Sequence, residues 1–135
     1  DPIPYSSVIK KMKESDLLLI VEDFSKRNLY WTRYSLSTKV SDSISSGLPV
    51  FAAGNIETGC INFLKAHDLC ITCTSKKNIA ELLKEALTNG DLKNKYHLKS
   101  IYCSESYFSL DKSCNMFDKV LHDAIKKFNN QKNNL

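Results

Sequence analysis

Apolar and polar positions along the chain change period several times, and each change marks an element. Ser6 or Ser7 is placed to cap a helix running to about Ser15, with Val8, Ile9 and Met12 on its apolar side. Leu17-Leu-Leu-Ile-Val21 follows as an unbroken apolar run, too short for a helix and suited to a strand covered on both faces. Glu22-Asp23 ends it at a polar edge. Residues 24–36 read as a loop rich in Arg, Tyr and Trp, followed by a short helix from Thr38 to Ser46, with Gly47 as C-cap and Pro49 blocking continuation. Pro49 to Ala53 reads as a second strand closed by Gly54, and Glu57 to His67 as a helix with Ile61 and Leu64 inward.

Leu69 to Thr74 reads as the third strand. After Ser75, Ile79, Leu82, Leu83, Ala86 and Leu87 form one helical stripe that stops at Asn89-Gly90. Asp91 to Ser106 is helical with Leu92, Tyr96 and Ile101 inward, and Ser109 caps a last long helix. The apolar face of that helix is Leu110, Cys114, Phe117, Leu121, Ala124, Ile125 and Phe128. Asn129 to Leu135 is expected to be a disordered polar tail, leaving residues 1–128 as one domain. Strands alternating with helices predict an α/β fold, a Rossmann-like parallel sheet with flanking helices.

Three strands are few for a doubly wound sheet, in which the first strand is central and covered on both faces. The expectation is therefore a missing N-terminal half, or an edge at Leu17 to Val21 covered by a second copy as a homodimer. Asp1 stands where an initiator Met would be, which points the same way.

The chain has 135 residues, 42% of them hydrophobic and 25% charged, with no apolar run near the ~18 residues that span a bilayer. Its formal charge of +4 is spread over helix faces and the tail, which reads as solubility and names no nucleic-acid partner. Five cysteines without a visible signal peptide predict reduced thiols and a cytoplasmic setting. Cys70 and Cys73 have C-x-x-C spacing, but on a strand they point to opposite faces, so no metal site is expected of them. His67, His97 and His122 lie on helix surfaces without partners in motif spacing.

In sheets of this kind, ligands bind beyond the carboxyl ends of the strands, and the loop ending at Ser37-Thr38-Lys39 lies there. The first N–H groups of a helix lack internal acceptors, and with the helix dipole they form an anion site. Lys39 opposes that dipole by about 0.3–1 kcal/mol, a sign that a bound phosphate would reverse. Asp42, one turn on, suits the paired hydroxyls of a ribose. An ordinary cap at Ser37 or Thr38, a solvated Lys39 and a favourable surface charge at Asp42 describe the same residues without a ligand. Tyr30, Trp31 and Tyr34 are able to stack on a base or to pack locally.

Residues 16–108 resemble the C-terminal half of a GT-B glycosyltransferase. Where that family carries Glu-Ala-Met-Ala-x-Gly-x-Pro-Val, this chain has Asp42-Ser-Ile-Ser-Ser-Gly47-Leu-Pro49-Val50. Bacterial surface-polysaccharide transferases of glycosyltransferase group 1 are similar further upstream, with Thr-Arg-Tyr-Ser-x-Ser-Thr-Lys matched by Thr32 to Lys39, and Tyr107-Phe-Ser-Leu resembles the segment before their final helix. The resemblance implies that Ser37, Thr38 and Lys39 hold the diphosphate of a nucleotide sugar and Asp42 its ribose, with no further cofactor. It also implies an acceptor-binding N-terminal domain and, for the whole enzyme, a cytoplasmic place that extends to the membrane surface. The family's sugar-contacting Glu, eight residues before the ribose residue, is Tyr34 here. Sugar or base contacts are therefore sought at Glu22, Arg33, Tyr34 and Ser35. A nucleotide-sugar epimerase of the same fold, and a flavodoxin-like or receiver-like binding module, are the alternatives.

Overall fold

The computed structural model describes residues 3–132, the side chains of 131 and 132 excepted. The sheet has three parallel strands, β1 (Leu18–Val21), β2 (Val50–Ala53) and β3 (Ile71–Cys73), in the order β1-β2-β3. Leu18 stands beside Val50 and Phe51 beside Ile71. The helices are α1 (Tyr5–Met12), the single turn α2 (Leu29–Thr32), α3 (Thr38–Ser45), α4 (Gly59–Ala66), α5 (Ile79–Thr88), α6 (Gly90–Tyr107) and α7 (Leu110–Lys132). This is the α/β sheet with flanking helices that the periodicity predicts.

Period-two alternation divides β2 between two cores. Val50 and Ala52 join Ile20 and Cys70 on one face, covered by Val40 and Ile44 of α3, Ile61 and Leu64 of α4, and Cys103 of α6. Phe51 and Ala53 join Ile71 and Cys73 on the other, covered by Ala86 of α5 and Tyr96 of α6. Cys70 and Cys73 thus lie in different cores, as their spacing on a strand requires. Gly47 follows α3 at φ +72, the left-handed C-terminal turn expected of it, and His97 of α6 bonds its carbonyl.

Five expectations need correction. First, β1 is not covered on both faces: Leu19 and Val21 are 60% and 66% exposed, because α5 packs on β2 and β3 and leaves an open cleft between Leu19 and its own Leu83 and Leu87. The strand does lie at the edge of the sheet, one of the two arrangements expected of so few strands. Second, α1 starts at Tyr5 after Pro4, so Ser6 and Ser7 lie inside it; none of its residues is buried. Third, α5 stops at Asn89 as read, but α6 starts at Gly90 and not at Asp91, so no loop separates the two helices. Asn89 ends α5 and also caps α6, its Oδ1 accepting from the N–H groups of Asp91 and Leu92 at 3.1 and 3.2 Å.

Fourth, Ile101 faces outward on α6, while Ser100 and Cys103 take the buried positions. Fifth, the tail is helical through Lys132, so residues 129–132 are not disordered; the remaining tail residues, 133–135, lie outside the described ones. Ser109 caps α7 as expected, with Lys112 N–H donating to its hydroxyl at 3.4 Å. The apolar face of α7 is nevertheless not buried: every residue from Leu110 to Asn130 is exposed. No helix among the described residues is long and apolar enough to cross a membrane.

Candidate functional site

The carboxyl ends of β1 and β2 lead into α3 and α4, whose first turns meet there. Ser37 is the N-cap of α3: its backbone is extended and its hydroxyl accepts from Lys39 N–H at 3.2 Å. Its own N–H donates to Cys60 Sγ at 3.3 Å, and that thiol reaches the Ser35 carbonyl at 3.6 Å. Burial pushes the Cys60 thiol up; the Ser37 N–H works against the shift, and the neighbouring Glu22 carboxylate adds to it. Glu22, Ser35 and Ser37 therefore surround one buried sulfur at the end of the sheet.

Two close approaches fix this corner. A Cβ on Gly59 would stand 2.4 Å from the Ser35 carbonyl oxygen and 3.1 Å from that of Arg33. A Cβ on Gly54 would meet Glu22 Cβ at 2.8 Å. Glycine at both positions lets the loop from β1 lie directly against the start of α4. Asn55 continues the contact, donating its N–H to the Asp23 carbonyl at 3.2 Å. The Asp23 carboxyl is held below its ordinary range by the Ser25 hydroxyl and N–H, at 2.7 and 2.8 Å.

The other residues read from the sequence spread out from this corner. Thr38 and Lys39 are exposed in the first turn of α3, and Lys39 has no ion pair among the described residues. Asp42 is half-buried one turn on, also without an ion pair among the described residues. Arg33 is bound by Glu57, which also draws Lys26 to 3.5 Å. Tyr34 is 91% exposed, and Tyr30 and Trp31 pack edge to face against each other with centroids 5.0 Å apart. Two open clefts share Arg33 and Tyr34: one of about 550 Å³ continues over Leu29, Tyr30 and Trp31, the other of about 420 Å³ over Glu57 and Asn62. The structure thus joins Glu22, Ser35 and Ser37 through Cys60, and Arg33 to Glu57; Lys39 and Asp42 line neither cleft.

Glu57, Gly59 and Cys60 are the members that sequence reasoning missed. Their signal was the run Gly54-Asn-Ile-Glu-Thr-Gly59, a second strand-to-helix turn that must reach the same edge as the first. The histidines lie elsewhere: His67 ends α4 against Phe63 and Tyr107, His97 bonds Gly47, and His122 bonds the Asp118 carbonyl. Among the described residues, no group of three or more His, Cys, Asp or Glu could hold a metal ion.

The corner offers an anion the Thr38 N–H, the Ser37 and Thr38 hydroxyls and the Lys39 ammonium; the N–H groups of Ser37, Lys39 and Val40 already bond Cys60 Sγ, Ser37 Oγ and the Ser37 carbonyl. Using Ser37 Oγ as a cap acceptor leaves its proton free to donate. No protein-family model, curated protein or solved structure matches this chain.

Proposed function

We propose that this chain is the donor-binding domain of a glycosyltransferase, which moves a sugar from a nucleoside diphosphate to an acceptor hydroxyl in polysaccharide or glycan synthesis. One observation carries the reading: a cation without an ion pair among the described residues, Lys39, sits in the first turn of a helix that opens at the carboxyl end of a parallel sheet. Alone, it opposes the dipole of α3 by about 0.3–1 kcal/mol. With a diphosphate at the helix start, the same charge becomes favourable. Asp42 stands one turn further in, within reach of the ribose of a nucleotide so held.

The chemistry asked of this domain is electrostatic. As the sugar leaves, negative charge grows on the diphosphate, and the Thr38 N–H, the two hydroxyls, Lys39 and the dipole of α3 stabilise it. The acceptor and any base acting on it belong to a further domain. In this reading the enzyme works in the cytoplasm, at or near the inner face of a membrane.

Titration calorimetry with UDP, GDP and their sugars tests the proposal. Binding of one nucleoside diphosphate is expected, and Asp42→Ala should weaken it about 10- to 100-fold, the range of a lost charge-assisted hydrogen bond. No heat with any of them, or an affinity unchanged in Asp42→Ala, rejects the site.

A further inference from the structure

Helix α7 extends for 23 residues, about 34 Å at 1.5 Å per residue, and its apolar stripe is exposed from Leu110 to Ile125. Leu110, Cys114, Phe117, Leu121 and Ala124 follow one another at intervals of 4, 3, 4 and 3, and Phe128 continues the sequence by another 4. That is the seam of a left-handed coiled coil, with Leu110, Phe117 and Ala124 at d and Cys114 and Leu121 at a. We propose that α7 pairs with α7 of a second copy of this chain, parallel and in register.

The charges select the partner. Lys112, Lys119 and Lys126 fall at f, the pole opposite the seam, while Asp111 and Asp118 flank it at e. A helix lying on an anionic lipid surface needs cations along both flanks; this one has carboxylates at e and a single lysine, Lys127, at g. In a parallel pair, g of one helix meets the following e of the other, which sets Ser113 beside Asp118 and Val120 beside Ile125. The first contact hydrogen-bonds and the second widens the apolar seam. The antiparallel register that brings Leu110 opposite Phe128 sets Asp118 against Asp118.

The area suffices as well. Leu110, Phe117, Val120, Leu121 and Ile125 are 45–76% exposed. Together they offer roughly 550 Å² per helix, so that full burial of both stripes removes about 1,100 Å² from water, at the lower limit for a specific interface.

Cys114 reports the arrangement, because it is exposed and the other four cysteines are buried. In the parallel pair the two Cys114 thiols face each other across the seam; in the antiparallel register above they lie about 15 Å apart along the axis. Sedimentation of the reduced 135-residue chain should give twice the 15.3 kDa mass at high concentration and the single mass on dilution. A short bis-maleimide should join two chains through Cys114. Phe117→Asp and Leu121→Asp should each give the single mass throughout, with Cys60, Cys70, Cys73 and Cys103 still protected from thiol reagents as evidence that the domain is folded. A single mass for the unaltered chain at every concentration overturns the proposal. So does a double mass that survives both substitutions, or one that gives no Cys114 cross-link.

Discussion

Gly59 and Gly90 hold the same position in two helices, the first residue after the N-cap of α4 and of α6, and neither has a positive φ. What differs is the space beside them. A Cβ at Gly90 meets nothing within 4 Å, whereas one at Gly59 stands 2.4 Å from the Ser35 carbonyl oxygen. Ordinary contact begins at 3.4 Å, so about 1 Å must be found, and the obstacle is backbone, which has no rotamer to change. Gly90→Ala should therefore show the bare effect of removing glycine, a gain of about 0.4–1 kcal/mol from the unfolded chain. Gly59→Ala has the same gain, set against about 1–3 kcal/mol of overpacking.

The two variants should then separate by roughly 2 kcal/mol, which at a typical slope of 1–3 kcal/mol per molar urea is about 1 M between midpoints. Urea unfolding with unchanged slopes is the assay. Equal midpoints, or a more stable Gly59→Ala, would refute the claim that the loop from β1 is seated on the start of α4. Because that loop carries Ser35 and Ser37, the same variant should also weaken nucleotide binding, while Gly90→Ala leaves it unchanged.

Two further outcomes follow from groups away from that corner. In the folded, reduced protein, diluted to the single chain, a thiol reagent should titrate Cys114 rapidly and the four buried cysteines only on unfolding; burial pushes the Cys70 thiol up to about 11, which slows it further. Five fast thiols without denaturant would contradict the two cores described. Asp68, at φ 49, has its carboxyl held below the ordinary range by hydrogen bonds from Lys99 and Lys95. A depressed folded pKa gives stability above the unfolded value that is lost as pH falls through the folded one. The three groups are 40–49% exposed, so Asp68→Asn, which tolerates the same backbone, should lose less than ~1 kcal/mol at neutral pH. The loss should vanish well below pH 3.8; a difference that persists in acid would assign it to something other than charge.

Local spacing made much of this fold legible. The Ser37 cap, the Gly47 turn, the alternation that parts Cys70 from Cys73 and the stripe on α5 from Ile79 to Ala86, though not the exposed Leu87, all follow from residues within a few positions of one another. The misreadings share a cause, since a pattern states which surface is apolar and not what lies over it. Leu17 to Val21 looked doubly covered because Leu19 and Val21 are apolar, yet coverage depends on where α5 crosses. Asn89-Gly90 carried a stop signal, and Asn89 answers it by serving two helices in succession. At the candidate site the first turn of α3 was readable. Its contact with Cys60, 23 positions away, arises only when two strands lie side by side.

The open border of β1 has a consequence for how copies of this chain tolerate crowding. A short apolar strand with no neighbour on its outer side is an invitation to pair, and proteins that keep such a strand need something to repel the wrong guest. Here Asp16 precedes the run and Glu22-Asp23 follow it. If two such borders met head to tail, Asp16 of each would be brought beside the carboxylates of the other, and the repulsion would act at both ends of four paired residues. An antiparallel meeting of the strand with its own kind is therefore opposed by charge. A segment whose flanks carry cations would meet no such barrier.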